Sequence, residues 1–351
     1  MVNMHDVARA AGVSQAAVSY AFNQSPKLSG ARRDHILQIA AELGYAGPNP
    51  AGRSLRTGRV GALGVLLTES LHYAFDDPAT SELLKGISEV GEMAEVALTL
   101  LPLMTENRPT VGSGVLVNGS VDGFLAYAIP EAHPSLDVVV GRGLPVVIID
   151  GPNPAGLPSV GIDDAAAART AADLILSQGH TRIGVMVDRL SPDGKRGRVS
   201  AARTRSARDY VMRTRLAGYA SEFRHHGVPW SSAYVIEAGG MDYATSRQSA
   251  RQLLDNAELS AVIAASDVLA LALLDELRDR GLSAPGDMSV IGFDDIPAAE
   301  RRGLTTIRQP LIDKGREAAQ LLIDLIGGRT GRAVTLPTEL VHRNSTAPLS
   351  S

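Results

Sequence analysis

The chain has 351 residues, 44% of them apolar and 21% charged, and no cysteine. That length points to two or three units, and the composition excludes wholesale disorder and collagen. The lack of cysteine excludes disulfides, thiolate metal sites and cysteine nucleophiles. No apolar run reaches the roughly 18 residues that cross a bilayer. The opening MVNMHDVARAAGV lacks the basic and apolar regions of a secretory signal, so a cytoplasmic location without a membrane partner is expected. Charge is unevenly placed: residues 1–59 hold seven Lys/Arg against three Asp/Glu, a net +4, which leaves −8 for the other 292 residues of the −4 total. A basic head on an acidic body suits a head that meets a polyanion and a body that does not.

In chain order, Met4–Ala11 is helix-compatible, Gly12 supplies a tight turn, and Ser14 stands where an N-cap belongs before QAAVSYAF. Val18, Ala21 and Phe22 recur at helical spacing, which leaves Gln15, Ala16, Ser19 and Tyr20 on the other side. Two short helices around a glycine turn, with small residues where they pack, predict a helix–turn–helix. Ser29 is placed to cap a third helix over Gly30–Leu43, and Gly44 to end it. The Gly/Pro-rich stretch from Ala46 to Gly52 reads as a linker, with a weak helix over Ala51–Arg56 that folds on binding.

Beyond Val60, short apolar runs alternate with helical stretches. Strands are predicted at Ala62–Leu67, Ala97–Leu103, Gly123–Tyr127, Val146–Asp150, Arg182–Val187, Ala261–Ala264 and Ser289–Phe293. Helices are predicted near 79–94, 164–178, 208–226, 242–256, 266–280 and 311–327. The pattern argues for an α/β body of two lobes with parallel sheets. Ligands of such sheets sit at the strands' carboxyl ends, where Thr68-Glu69-Ser70, Asp150, Ser266-Asp267 and Asp294-Asp295 stand. Leu190–Tyr210 is basic and reads as a mobile flap or surface loop.

Enzyme and cofactor motifs are missing. Gly112-Ser113-Gly114 has Val117 where a dinucleotide fingerprint needs glycine, and Gly194-Lys195 is followed by Arg196, not Ser or Thr. There is no H-E-x-x-H or G-x-S-x-G. His225-His226 read as a solvated helix end rather than a metal pair. Neither a catalytic set, a cofactor nor a metal is expected.

Together these residues resemble the LacI/GalR-type bacterial transcription regulators. The head motif runs Asp6-Val7-Ala8-Arg9-Ala10-Ala11-Gly12-Val13-Ser14, then Val18-Ser19, Asn23 and Glu42-Leu43-Gly44-Tyr45. A hinge-like Pro50-Ala51-Gly52-Arg53-Ser54-Leu55-Arg56 follows. The body matches at Val121-Asp122-Gly123, Gly179-His180, Arg213–Tyr219, Ser289–Asp295, Leu304–Pro310 and Leu336–Leu340. The resemblance implies a helix–turn–helix head over 1–46, a hinge over 47–59, and a two-lobed, periplasmic-binding-protein-like body over 60–351. It assigns about 60–160 and 310–329 to the N-lobe, and about 161–309 and 330–351 to the C-lobe.

The same resemblance implies a homodimeric repressor on double-stranded, pseudo-palindromic operator DNA, with a sugar-like small-molecule effector between the lobes. DNA contacts fall on Ser14, Gln15, Ala16, Ser19, Tyr20 and Asn23, with Arg53 and Arg56 on phosphate and Leu55 as a minor-groove wedge. Tyr20 departs from the arginine common there and cannot read guanine bidentately. An inserted-looking Ala46-Gly47 departs from the family's pattern just where the hinge begins. Effector contacts fall on Asp150, Arg215, Ser266 and Asp294, while Tyr73 and Phe75 either stack on a ligand ring or pack the loop. The chain ends without a heptad tail, so a dimer is expected rather than a tetramer.

Overall fold

A computed structural model of the chain describes residues 2–47, 58–68, 70–105, 108–109, 114–130, 132–240 and 242–349. It divides into two units, Met1–Gly61 and Ala62–Ser351.

The first unit holds three helices, α1 (Met4–Ala10), α2 (Gln15–Phe22) and α3 (Gly30–Glu42). Asn3 and Asp6 form a reciprocal capping box on α1. Ser14 caps α2 by accepting from Ala17 N at 3.2 Å, whereas Ser29 stands at the N-cap of α3 without a side-chain bond. Gly12 and Gly44 take positive φ, of 65° and 70°, after α1 and α3. Val7, Val18, Ile36 and Ala40 are fully buried, and Phe22 packs edge-on against Tyr45 with centroids 5.6 Å apart. The hinge residues Arg53, Leu55 and Arg56 lie outside the described residues.

The second unit is built on two sheets. The first is wholly parallel, in the order Ala333–Leu336 (β14), Ser159–Ile162 (β7), Val146–Ile149 (β6), Gly123–Tyr127 (β5), Ala62–Leu67 (β1), Ala97–Pro102 (β2). The second runs Glu339–Val341 (β15), Thr305–Arg308 (β13), Ser289–Asp294 (β12), Ala261–Ala264 (β11), Ile183–Val187 (β8), Tyr234–Glu237 (β10), Gly197–Arg198 (β9). It is parallel except for β9 and β15 at its edges. A two-stranded ribbon pairs Met104–Thr105 (β3) with Arg108–Pro109 (β4). Strands β1, β6, β8 and β11 are buried at every position, as sheets covered by helices on both faces require.

The division between lobes differs from that read in the sequence. Residues 161–162 and 330–336 were expected in the second lobe, yet Ala333 pairs with Ser159 and Leu336 with Ile162 in the first sheet. Strand–helix alternation says that a short strand exists, not which of two sheets it joins. The chain passes between the sheets after Ile162, again after Arg308, and finally after Leu336.

The helices of the body are α4 (Leu71–Asp76), α5 (Pro78–Met93), α6 (Gly114–Asn118), α7 (Pro134–Gly141), α8 (Asp164–Ser177), α9 (Ala201–Arg205), α10 (Tyr210–His225), α11 (Tyr243–Asn256), α12 (Asp267–Asp279), α13 (Pro297–Arg301) and α14 (Leu311–Ile326). Helices α5 and α14 touch backbone to backbone: a Cβ on Gly86 would stand 2.0 Å from Ile312 O, and one on Gly315 2.2 Å from Leu83 O. Helices α8 and α10 meet the same way at Gly218, where a Cβ would lie 2.5 Å from Ala165 O. The second contact brings Arg215 of α10 against Asp164 of α8.

The basic stretch Leu190–Tyr210 is not an open loop. It contains β9, paired to β10, and α9, whose Arg203 binds Asp193 at 2.7 and 2.8 Å and the buried Glu237 at 2.7 and 2.9 Å. Among the described residues, no helix is long and apolar enough to cross a membrane.

Candidate functional site

In the head, the apolar side of α2 faces inward, so Gln15, Ala16 and Tyr20 are exposed and Ser19 half-buried. Ser14 Oγ already accepts the α2 cap bond, which leaves its proton to donate. The Asn23 amide donates to Ser19 O at 2.8 Å and Ser19 Oγ at 3.2 Å, tying the end of α2 to its own helix. Lys27 Nζ lies 5.8 Å from the centre of the Tyr20 ring. An exposed N-terminal face of a second helix, with polar and small side chains, has the shape and chemistry to enter a major groove.

In the body, Tyr73, Asp150, Arg215, Ser266 and Asp294 line one cavity of about 80 Å³ between the carboxyl ends of the two sheets. Phe75 does not join them. It lies two residues beyond Tyr73 on α4, hence on the opposite face, and is 64% exposed. It lines neither this cavity nor the wider cleft beside it. Asp77, Asp188 and Gln309 line the same cavity and were not singled out in the sequence. Asp188 directly follows β8, so the strand-end rule that found Asp150 and Asp294 reaches it too.

The acids are held in strained backbone. Asp150 has φ 47° and Asp294 φ 118°, each costing on the order of 1–3 kcal/mol for a residue with a Cβ. Positions that keep a carboxylate at that cost are candidates for function. Asp295, also with positive φ, turns away and pairs with Arg308 and Arg343 at 2.7 Å each.

A chain of polar contacts joins the two lobes. Asp150 Oδ2 accepts from the fully buried Lys314 Nζ at 2.5 Å, which also donates to Gln309 Oε1 at 2.6 Å. Gln309 Nε2 donates to Asp294 Oδ1 at 2.5 Å, and that oxygen lies 3.8 Å from Arg215. Arg215 donates to Asp164 Oδ1 at 2.8 Å and to Ala265 O at 2.5 Å, and its guanidinium stacks 3.5 Å from the centre of the Phe293 ring. Ser266 Oγ donates to Asp188 Oδ1 at 3.1 Å and caps α12 through Leu269 N. It therefore positions Asp188.

Both cations already serve carboxylates, and the carboxyls outnumber them. Burial pushes Asp188 up to about 7, aided by the charge of Asp294. Burial likewise pushes Asp294 up to about 7, against the pull of Arg215. Burial also raises Asp77 and Asp164. For Arg215, burial opposes the charge, but Asp164 and Asp294 outweigh it and hold its pKa above the usual value. Asp150 Oδ1 is buried with no hydrogen-bond partner among the described residues. Such a site wants a ligand with several hydroxyl donors and no negative charge.

The cavity shares Tyr73, Asp77 and Val268 with a wider cleft of about 1210 Å³. Elsewhere, Asp173 on α8, Glu222 on α10 and His226 at the C-cap of α10 form a surface group, with His226 Nε2 at 2.8 Å from Asp173 Oδ1. That contact is an ordinary surface hydrogen bond at a helix end.

A helix–turn–helix head joined to a two-sheet body with a polar cleft at its strand ends defines a class: a ligand-binding body of periplasmic type that carries a DNA-binding unit. Comparison with known proteins agrees at both ends of the chain. Residues 3–49 match the bacterial regulatory proteins of the lacI family, and residues 172–346 a periplasmic binding protein-like domain. The chain is 38% identical to the HTH-type transcriptional regulator Rv3575c of Mycobacterium tuberculosis, over 96% of its own length and 94% of that protein's. It is similar to the crystal structure of a LacI-family regulator from Corynebacterium glutamicum, with 31% identity, 98% of each chain covered and a TM-score of 0.76. It also matches a complex of the regulator CelR with cellobiose, at 27% identity, 98% and 100% coverage and a TM-score of 0.68. The chain belongs to the LacI family of DNA-binding bacterial transcriptional regulators.

Proposed function

We propose that this protein is a cytoplasmic, homodimeric repressor that binds a pseudo-palindromic operator and is controlled by an uncharged polyhydroxyl effector, a sugar or a close relative. Two-fold protein symmetry would set two copies of α2 in successive major grooves. Gln15 would pair with adenine, Ala16 would touch a thymine methyl, and Tyr20 would make a single hydrogen bond or pack on the sugar edge. Ser14, Ser19 and Asn23 would serve phosphate, with Arg53 and Arg56, and Leu55 would wedge the central minor-groove step. The effector would sit among Tyr73, Asp150, Arg215, Ser266 and Asp294. The protein would carry out no catalysis.

The observation that carries the effector assignment is the carboxylate-rich cavity where five of the six expected contacts meet. Carboxylates accept from vicinal hydroxyls, and nothing there offers an unengaged cation to an anion. The cellobiose complex of a relative supports the sugar class. The test is selection of bound sequences from random duplex DNA by the full-length protein, repeated with Gln15→Ala and Leu55→Ala. One pseudo-palindrome should be enriched, with relaxed base choice for Gln15→Ala and weaker enrichment for Leu55→Ala. No enrichment at low salt by folded protein would sink the operator assignment.

A further inference from the structure

The inner cavity, at about 80 Å³, is far below the roughly 300 Å³ at which ordinary small-molecule sites begin. It admits the hydroxylated end of a ligand and little more. The adjoining cleft of about 1210 Å³ takes over where the cavity ends, past Tyr73, Asp77 and Val268.

That outer cleft has a built wall. The segment 190–210, which supplies Pro192, Asp193, Gly194 and Arg196 to the lining, is fixed to the second sheet by β9. It is anchored by Arg203, which spans Asp193 and the buried Glu237, while Glu237 also accepts from Leu190 N at 2.5 Å. It packs directly on the backbone after β10: a Cβ on Gly239 would stand 2.4 Å from Lys195 O. Across the cleft, Val268, Leu271 and Ala298 give an apolar floor, with Tyr243, Thr245 and Asp242 beside it. The Tyr243 hydroxyl donates to Asp275, which fixes its ring. Apolar surface with hydrogen-bonding groups beside it matches a sugar ring, whose faces are C–H and whose rim is hydroxyl.

We propose that the outer cleft is a second subsite and that the effector is a saccharide of at least two rings, one end in the inner cavity and the next ring against Tyr243 and the Val268–Leu271–Ala298 floor. This rests on the polyol assignment of the inner cavity.

The test is calorimetry of the full chain with glucose, galactose and mannose, and with cellobiose, lactose, maltose and mannobiose. A two-ring sugar should bind at least about tenfold more tightly than either ring alone. Ala298→Trp, which raises a bulky ring from the floor of the outer cleft, and the exposed Tyr243→Ala should each remove that margin, whereas Asp294→Asn should weaken every saccharide. A single-ring sugar bound as tightly as any longer one, with Ala298→Trp and Tyr243→Ala both without effect, would overturn the second subsite and leave the polyol assignment standing. Absence of binding by every saccharide would overturn the polyol assignment, and the second subsite with it.

Discussion

Lys314 has no exposure at all and meets Asp150 and Gln309 in the interior of the cleft. Removing it strands the Asp150 carboxylate. Lys314→Met should destabilise the body by about 3–5 kcal/mol, and adding Asp150→Asn should restore part of that, which denaturant melts of the two variants would measure. Asp188 and Asp294 have the opposite character, acids held nearer their neutral form. Folded, they keep protons up to about pH 7, and unfolded only to about pH 4. The folded body therefore binds more protons in that window, and their contribution to stability falls as pH rises from about 4 to 7, then levels. Asp188→Asn should flatten this slope. Its unfolding free energy, from thermal melts, should gain on the parent's as pH rises from 5 to 8, by about 1–3 kcal/mol at the upper end. Equal slopes for the two proteins would contradict this account of the acid pair. Asp150, Arg215, Ser266 and Asp294 were legible because each belongs to a strand end or a motif of the resembled family. Lys314 was not, because it sits in the apolar stripe of α14 with Leu311 and Ala318, where only its contradiction of the pattern marks it. Asp77 hid as an ordinary cap before Pro78.

Elements are held in place by close backbone contacts. Gly86 and Gly315 let α5 and α14 touch, and Lys314 rides on that contact. A methyl at Gly86 would have to displace the backbone carbonyl of Ile312. Gly86→Ala should cost about 3 kcal/mol or more. Gly141→Ala, where a Cβ meets nothing within 4 Å, should be neutral or stabilising by up to about 1 kcal/mol. Urea midpoints of the pair check both. The long strands and helices of the body were legible because their apolar runs are continuous or amphipathic. The short strands at Gly197–Arg198, Thr305–Arg308 and Glu339–Val341 were not, since none of them is a continuous apolar run. The segment 190–210 misled for another reason. Its arginines read as a solvated loop, but Arg203 is spent on Asp193 and the buried Glu237. Only tertiary structure pairs residues 34 and 10 positions apart.

At the scale of the molecule, one chain carries a helix–turn–helix unit and a two-lobed body, and the body's polar network runs from Asp150 through Lys314, Gln309, Asp294 and Arg215 to Asp164. The network spans residues on both sides of two of the crossings between sheets. On the proposed reading, a ligand that donated hydroxyls to Asp150 and Asp294 would compete with these contacts, and so would favour one arrangement of the lobes over another. Linkage then requires that whatever arrangement DNA favours be coupled to the ligand, equally in both directions. The head, the two-lobed α/β class and the family were all legible in the sequence, since their motifs run nearly the whole chain. The lobe boundaries were not, because three short crossings look alike. The most direct measurement is the affinity of the full-length protein for its selected duplex, by fluorescence anisotropy, with and without the saccharide found by calorimetry. The expected result is a change in operator Kd of at least about fivefold, matched by an equal change in saccharide Kd on DNA, and lost in Asp294→Asn. A saccharide that saturates the cleft while operator affinity stays the same would contradict the account.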